Sequence, residues 1–374
     1  MVAEVIYVVF KLAKIRGGMK TIYTIKAIEK DGAQPLLQNI GNIDDWHEKR
    51  SKIHQDWLNC IGGLPPLVKP EMKINSWEIF TDYYLINICY ATVFEDWVPA
   101  NLLVPKLQQV ENLTSKSDVL LLLNCTNSKP FPAVIALHPT SDNGKDDICT
   151  TAGRKNRQYG LELVKRGYVV LAPDTITAGE RVLPNDKPFQ TATFDKKHPE
   201  WSAVAKMIID HQQGISLLEE LSIVDNTNIG AIGHSLGGYN SFFLAGVDRR
   251  VKAVVCSCGF SLFAQDPEQH RWGKREWFSH IPKISDYINE GIVPFEFTEI
   301  AALVAPTPLF MWMGQNDHIF PHWESAAKGL VELNTLYEWM ETGERFTSLI
   351  GNSGHDFPSE IRQLAYSFLD QWLS

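Results

Sequence analysis

Gly233-His234-Ser235-Leu236-Gly237 sets a serine between two glycines, directly after the apolar run Ile229–Ile232 and before Leu236, Phe242, Phe243 and Ala245 at helical spacing. Strand, sharp turn and helix are expected there. Such an elbow holds the serine in a strained conformation that lifts Oγ clear of the sheet, and a Cβ at either glycine would collide with strand or helix. A plainer reading is a glycine turn in which Ser235 only caps a helix. Because a hydroxyl is a weak nucleophile at neutral pH, the first reading requires an imidazole to take its proton and a carboxylate to orient that imidazole.

On an alternating strand-helix scaffold the acid follows a later strand, and the histidine comes last. Asp317 fits the acid, in the turn Gly314-Gln315-Asn316-Asp317 after the strand-like Leu309–Met313. His355 fits the base, in Gly351-Asn352-Ser353-Gly354-His355-Asp356 after Phe346–Ile350. The separations, 317−235 = 82 and 355−317 = 38 residues, leave room for the intervening elements. As plainer roles, Asp317 would cap a turn and His355 would be a surface loop residue. Rival histidines are His234, whose side chain should point away from the adjoining serine, and His318 and His322, which precede the last strand. Rival acids are Asp356 and Glu324, neither directly after a strand. After the strand 251–256 no carboxylate occurs before Asp266.

An oxyanion would need two N–H donors. The backbone of Leu236, at the start of the helix, supplies one. The other should come from the loop His138-Pro139-Thr140-Ser141; proline has no N–H, so Thr140 is chosen and Ser141 is the fallback.

The elements that must position these groups follow from periodicity. A helix is predicted over 43–61, capped by Asn42 or Asp44, with Trp46, Ile53, Trp57 and Ile61 on one face. Leu85–Val93 and Val98–Val104 read as antiparallel strands, Pro99 placing the second at an edge. From residue 132 strands at 133–137, 168–172, 229–232, 251–256, 309–313 and 346–350 alternate with helices near 155–166, 200–221, 237–246, 322–335 and 361–373. The expectation is an α/β fold with a mostly parallel sheet of about eight strands, antiparallel at the start. Residues 1–84 would form an N-terminal extension and 85–374 the catalytic domain. Two long segments, 174–199 and the aromatic-rich 259–303, interrupt the alternation. The second is expected as a lid or pocket wall, with Trp272 and Trp277, besides His138 and His318, as candidate substrate contacts. Alternatively its aromatics only fill core.

With 374 residues, 44% hydrophobic and 21% charged, the chain is globular. A formal charge of −9 argues against nucleic-acid or anionic-membrane partners and for a small ligand that is not strongly anionic. Six scattered cysteines without C-x-x-C predict free thiols in a reducing compartment, hence a cytoplasmic location. The run Val5–Phe10 is too short to span a bilayer, and Met19 opens a more ordinary beginning. His318 and His322 are spoiled as a helical metal pair by Pro321, Gly17-Gly18-Met19-Lys20-Thr21 lacks the ending of a phosphate loop, and no dinucleotide fingerprint occurs. No metal and no cofactor are expected.

Taken together, Leu137-His138-Pro139-Thr140-Ser141, Tyr168 to Asp174, Gly233 to Gly238, Gln315-Asn316-Asp317 and Ser353 to Asp356 resemble the α/β-hydrolase superfamily, and within it the dienelactone hydrolase-like group with acetyl xylan esterase-like enzymes. The resemblance covers roughly residues 85–374 and implies hydrolysis of carboxylic esters through an acyl-enzyme. It departs in two places. Dienelactone hydrolases proper use cysteine where this chain has Ser235, which implies ordinary ester cleavage rather than lactone opening. Many relatives carry His-Gly where this chain has His138-Pro139. Competing readings are a prolyl-oligopeptidase-type peptidase, for which about 130 preceding residues without a repeat are too few, and a non-catalytic binding protein on the same scaffold.

Overall fold

The computed structural model describes residues 22–107, 110, 112–125 and 129–373. The apolar run at Val5–Phe10, Met19 and the glycines at 17 and 18 lie outside them. Within the described residues no helix is long and apolar enough to cross a membrane.

Among the described residues nine strands form the main sheet, in the spatial order 346–351, 309–314, 251–257, 224–234, 131–137, 169–173, 96–105, 83–92, 72–79. The first six run parallel to one another, and the last three join antiparallel at one edge. The inner parallel strands are buried on both faces, which is why 133–137, 169–172, 229–232 and 309–313 are apolar, whereas the edge strand 346–351 is partly exposed and carries Thr347 and Ser348. In the strand Phe131–Leu137 successive side chains divide accordingly: Ala133, Ile135 and Leu137 join the core shared with helices Ala203–Glu220 and Leu236–Val247, whereas Val134 and Ala136 join the core under helices Tyr159–Val164 and Ser359–Leu373.

The helix Ile43–Ile61 begins where Asn42 and Asp45 make a reciprocal capping box. It buries Trp46, Ile53, Trp57 and Ile61 against the first core, Trp57 meeting Phe243 with ring centroids 4.8 Å apart. Strand Met72–Ile79 is an addition to the expected elements. A bulge between Ile74 and Ser76 shifts its register, so the apolar positions Met72 and Ile74 fall out of phase with Trp77 and Ile79 and strict alternation is lost. It pairs with Tyr83–Thr92, so a division between residues 84 and 85 falls inside a strand.

Pro99 does not mark an edge, because Asp96–Pro105 lies inside the sheet. Its ladder to Val169–Pro173 spans Ala100–Leu103, leaving Pro99 beyond the end, where its carbonyl accepts the Asp174 N–H at 2.9 Å. Proline is tolerated because that ladder asks no N–H of it.

Candidate active site

Ser235 sits between the strand Val224–His234 and the helix Leu236–Val247 at φ 56°, ψ −118°, a left-handed conformation unusual for a residue with a Cβ. Its side chain makes no capping hydrogen bond to the helix, so the plain capping role falls away. The flanking glycines are required by close approach. A Cβ on Gly237 would stand 1.8 Å from the carbonyl oxygen of Leu137, and one on Gly233 would stand 2.2 Å from the Gly237 backbone. Strand and helix therefore meet more tightly here than side chains allow. The elbow is held further by the Ser235 N–H, which donates to Ser257 O at 2.8 Å.

Asp317 and His355 come from the ends of neighbouring strands, Leu309–Gly314 and Phe346–Gly351. Backbone bonds from Gln315 N to Gly351 O and from Asn316 N to Ser353 O, both 2.9 Å, bring the two turns together. Nδ1 of His355 then lies 2.6 Å from Oδ2 of Asp317, while Oδ1 accepts the N–H groups of Ile319 and Phe320 at 2.8 and 3.0 Å. Burial pushes the Asp317 carboxyl up, but the His355 hydrogen bond and charge, with the two backbone donors, hold it below its ordinary value. It is thus an anion aimed at one imidazole.

The rivals are placed elsewhere. Asp356 pairs with Arg157 at 2.6 Å, and Glu324 lies in the first turn of helix Trp323–Trp339. His318 is exposed, its ring centroid 6.3 Å from that of His355, and it is not part of the cavity wall, which corrects its expected role as a substrate contact. His322 is buried, with Nε2 3.0 Å from Ser261 Oγ. His234 does not turn away: its ring lies 4.9 Å from that of His355 and lines the same cavity. Burial, with Arg157, His355 and Arg154 nearby, drives its pKa well below the usual histidine value and keeps it neutral.

A cavity of about 450 Å³ is walled by Ser235, His355, Leu236 and Thr140 together with Tyr239, Trp272, Trp277, Phe278, His280 and Phe320. The insertion 259–303 supplies its aromatic side, with Trp272 buried and Trp277 43% exposed. Phe189, from the other long loop, packs edge-on to Trp277 at 6.1 Å. His138, expected in the pocket, is instead buried beneath it. Its Nε2 accepts the Thr175 N–H at 3.0 Å, so Nδ1–H donates to Pro139 O at 2.7 Å. The ring pins the loop that carries Thr140 to the loop after Val169–Pro173. Ser141, the fallback donor, is not in the wall.

Four arginines line the cavity that spacing did not single out: Arg154, Arg157, Arg271 and Arg275. Each is met by a carboxylate, respectively Asp147, Asp356, Asp266 and Glu268. The wall is therefore close to electroneutral despite its guanidinium groups. Arg157 also donates to the His355 carbonyl at 3.0 Å and so fixes the histidine loop. Cys258, just past the strand Val251–Ser257, occupies the place searched in sequence for an alternative acid. It is buried with its Sγ near Asp317 and His355, and burial followed by the Asp317 charge pushes its thiol up to about 12, too high for a rival nucleophile.

Comparison with known proteins fits this geometry. The dienelactone hydrolase family matches residues 127–335, more than half of the chain. The chain belongs to the dienelactone hydrolase family. It is 26% identical over 253 residues to YtaP of Bacillus subtilis (strain 168), which is named as a hydrolase, covering 65% of this chain and 79% of YtaP. Among solved structures it is similar to a glucuronoyl esterase from Solibacter usitatus, with a TM-score of 0.61, 16% identity and coverage of 96% of this chain and 99% of that one. It is also similar to acetyl xylan esterase 1 from Thermoanaerobacterium sp. JW/SL YS485, with a TM-score of 0.52, 16% identity and coverage of 88% and 98%. The fold of this dienelactone hydrolase family member is that of the α/β-hydrolases, as the sequence motifs implied.

Proposed function

We propose that this member of the family is a serine carboxylesterase acting on short acyl esters, in which Ser235, His355 and Asp317 work as a triad. Ser235 Oγ attacks the ester carbonyl carbon as His355 Nε2 takes its proton, and Asp317 holds the imidazole by Nδ1 and stabilises the imidazolium. The N–H groups of Leu236, at the positive end of its helix, and of Thr140 receive the oxyanion. Collapse of the tetrahedral intermediate expels the alcohol, which leaves with the proton from His355. Water then repeats the sequence on the acyl-enzyme.

The observation that carries this reading is that a strained serine and a histidine held at 2.6 Å by a buried aspartate share the wall of one cavity. The near-neutral wall with exposed indole at its mouth suits an uncharged ester, and the name of the acetyl xylan esterase neighbour favours an acyl group on a carbohydrate hydroxyl. A fluorophosphonate probe tests the nucleophile: it should label the wild type and leave Ser235→Ala unlabelled. Nitrophenyl esters of rising acyl length, run beside aminoacyl anilides, test the substrate class. Faster turnover of the anilides would replace the esterase by a peptidase.

A further inference from the structure

The Sγ of Cys258, a carboxylate oxygen of Asp317 and a ring nitrogen of His355 all lie within 4.8 Å of one another. Thiolate, carboxylate and imidazole are together a donor set for a thiophilic divalent cation. Tetrahedral zinc, with bonds of about 2.0–2.3 Å, spaces its ligand atoms roughly 3.3–3.7 Å apart. Rotation of the Cys258 and His355 side chains by about an ångström would reach that spacing, opening the 2.6 Å Asp317–His355 contact in the process. The charges also balance. One thiolate and one carboxylate neutralise a dication, which matters where Cys258 and Asp317 are buried and an uncompensated charge would be costly. Arg157, the nearby cation, is already neutralised by Asp356. Of the three side chains His355 lines the cavity, while Cys258 and Asp317 are buried.

We propose that Cys258, Asp317 and His355 form an inhibitory site for zinc or cadmium. Binding forms bonds from the cation to Sγ, to an Asp317 oxygen and to His355 Nδ1. The thiol proton passes to solvent, and the imidazole proton moves from Nδ1 to Nε2. With Nε2 protonated and unable to shed its Nδ1 partner, the ring no longer accepts the serine proton. The inhibitory consequence rests on the proposed role of His355; occupation of the site does not. Neighbouring Cys256, buried in the strand that precedes Cys258, is not among the ligands.

The test titrates the purified protein with cadmium chloride while following the ultraviolet thiolate-to-cadmium charge-transfer band, and separately assays ester hydrolysis against zinc chloride. Wild type and Ser235→Ala should show the band, with an amplitude exceeding that of Cys258→Ala by one thiolate. Zinc should inhibit the wild type, reversibly with EDTA, whereas Cys258→Ala should still hydrolyse ester and need at least about tenfold more zinc. Cys258→Ser, closer in volume, repeats the comparison if the alanine variant folds poorly. An unchanged band in both Cys258 variants, or equal zinc sensitivity, overturns the site. A wild type that hydrolyses no ester but shows the Cys258-dependent band would overturn the esterase and leave the metal site standing.

Discussion

Asp356 follows His355 directly in the chain, yet its carboxylate turns back to Arg157 at 2.6 Å and leaves the imidazole to Asp317. The two acids should therefore separate cleanly on substitution. Asp317→Asn should lower kcat by about 10⁴, since the amide would favour the wrong imidazole tautomer. Asp356→Asn should mainly cost stability, about 1–3 kcal/mol for the weakened partner of a buried guanidinium. Steady-state kinetics and thermal melts of both variants give the comparison. A large kcat loss confined to Asp356→Asn would move the acid.

Gly237→Ala should destroy the elbow. Its Cβ would meet Leu137 O at 1.8 Å, and both parties are backbone, one at the end of a central strand and the other in the first turn of a buried helix. No side chain can swing aside to relieve the overlap. We expect loss of fluorophosphonate labelling together with a strongly lowered melting temperature, read by gel fluorescence and circular dichroism. Near-native labelling in a stable variant would mean that the strand and helix approach less closely.

Much of the scaffold was legible because local and tertiary signals agreed. Asn42 with Trp46, Ile53 and Trp57 defined one helix to its ends, and apolar strands after residue 132 marked the parallel sheet. The strand Met72–Ile79 was not, because its bulge breaks the period that announces strands. The helix Lys116–Leu123 carried a readable signal, the Ser115–Asp118 capping box, in a run too short to show a face. In the site, order along the chain selected Asp317 and His355. Spacing could not show that His138 is held by Thr175, or that Arg157 and Cys258 converge on the same loop. Those are facts of three-dimensional proximity between residues roughly forty to two hundred positions apart, and no period encodes them.

Trp272 and Trp277 should part company when each is replaced by alanine. Trp272 is buried against Tyr239, Phe297 and His280, with centroids 4.9, 4.3 and 5.5 Å away, so its removal should cost about 3–5 kcal/mol of stability. Trp277 stands at the mouth, 43% exposed, with the Arg275 guanidinium 5.1 Å from its ring. Trp277→Ala should leave stability within about 1 kcal/mol and act on KM for larger esters. Chemical denaturation and a KM series across acyl lengths report the two effects. A matching stability loss at Trp277 would make it core rather than rim.

His211 gives the acid limb of stability a specific origin. It is buried in helix Ala203–Glu220, neither ring nitrogen has a hydrogen-bond partner, and burial lowers its pKa to about 3, with Asp210 opposing and His138, Arg181 and Lys206 reinforcing. An unfolded histidine titrates near 6.5, so between about pH 6.5 and pH 3 the unfolded chain binds a proton that the folded chain refuses. Stability from this group is complete above that window and is lost as the pH falls through it. His280, its pKa also lowered to about 3 by burial and then by Arg275, adds a second contribution of the same sign. His211→Leu removes one of these contributions and satisfies an apolar site with an apolar side chain. Its urea midpoint should therefore fall less steeply than the wild type's from pH 7 to pH 4, and parallel slopes for the two proteins would show that His211 accepts its proton without unfolding.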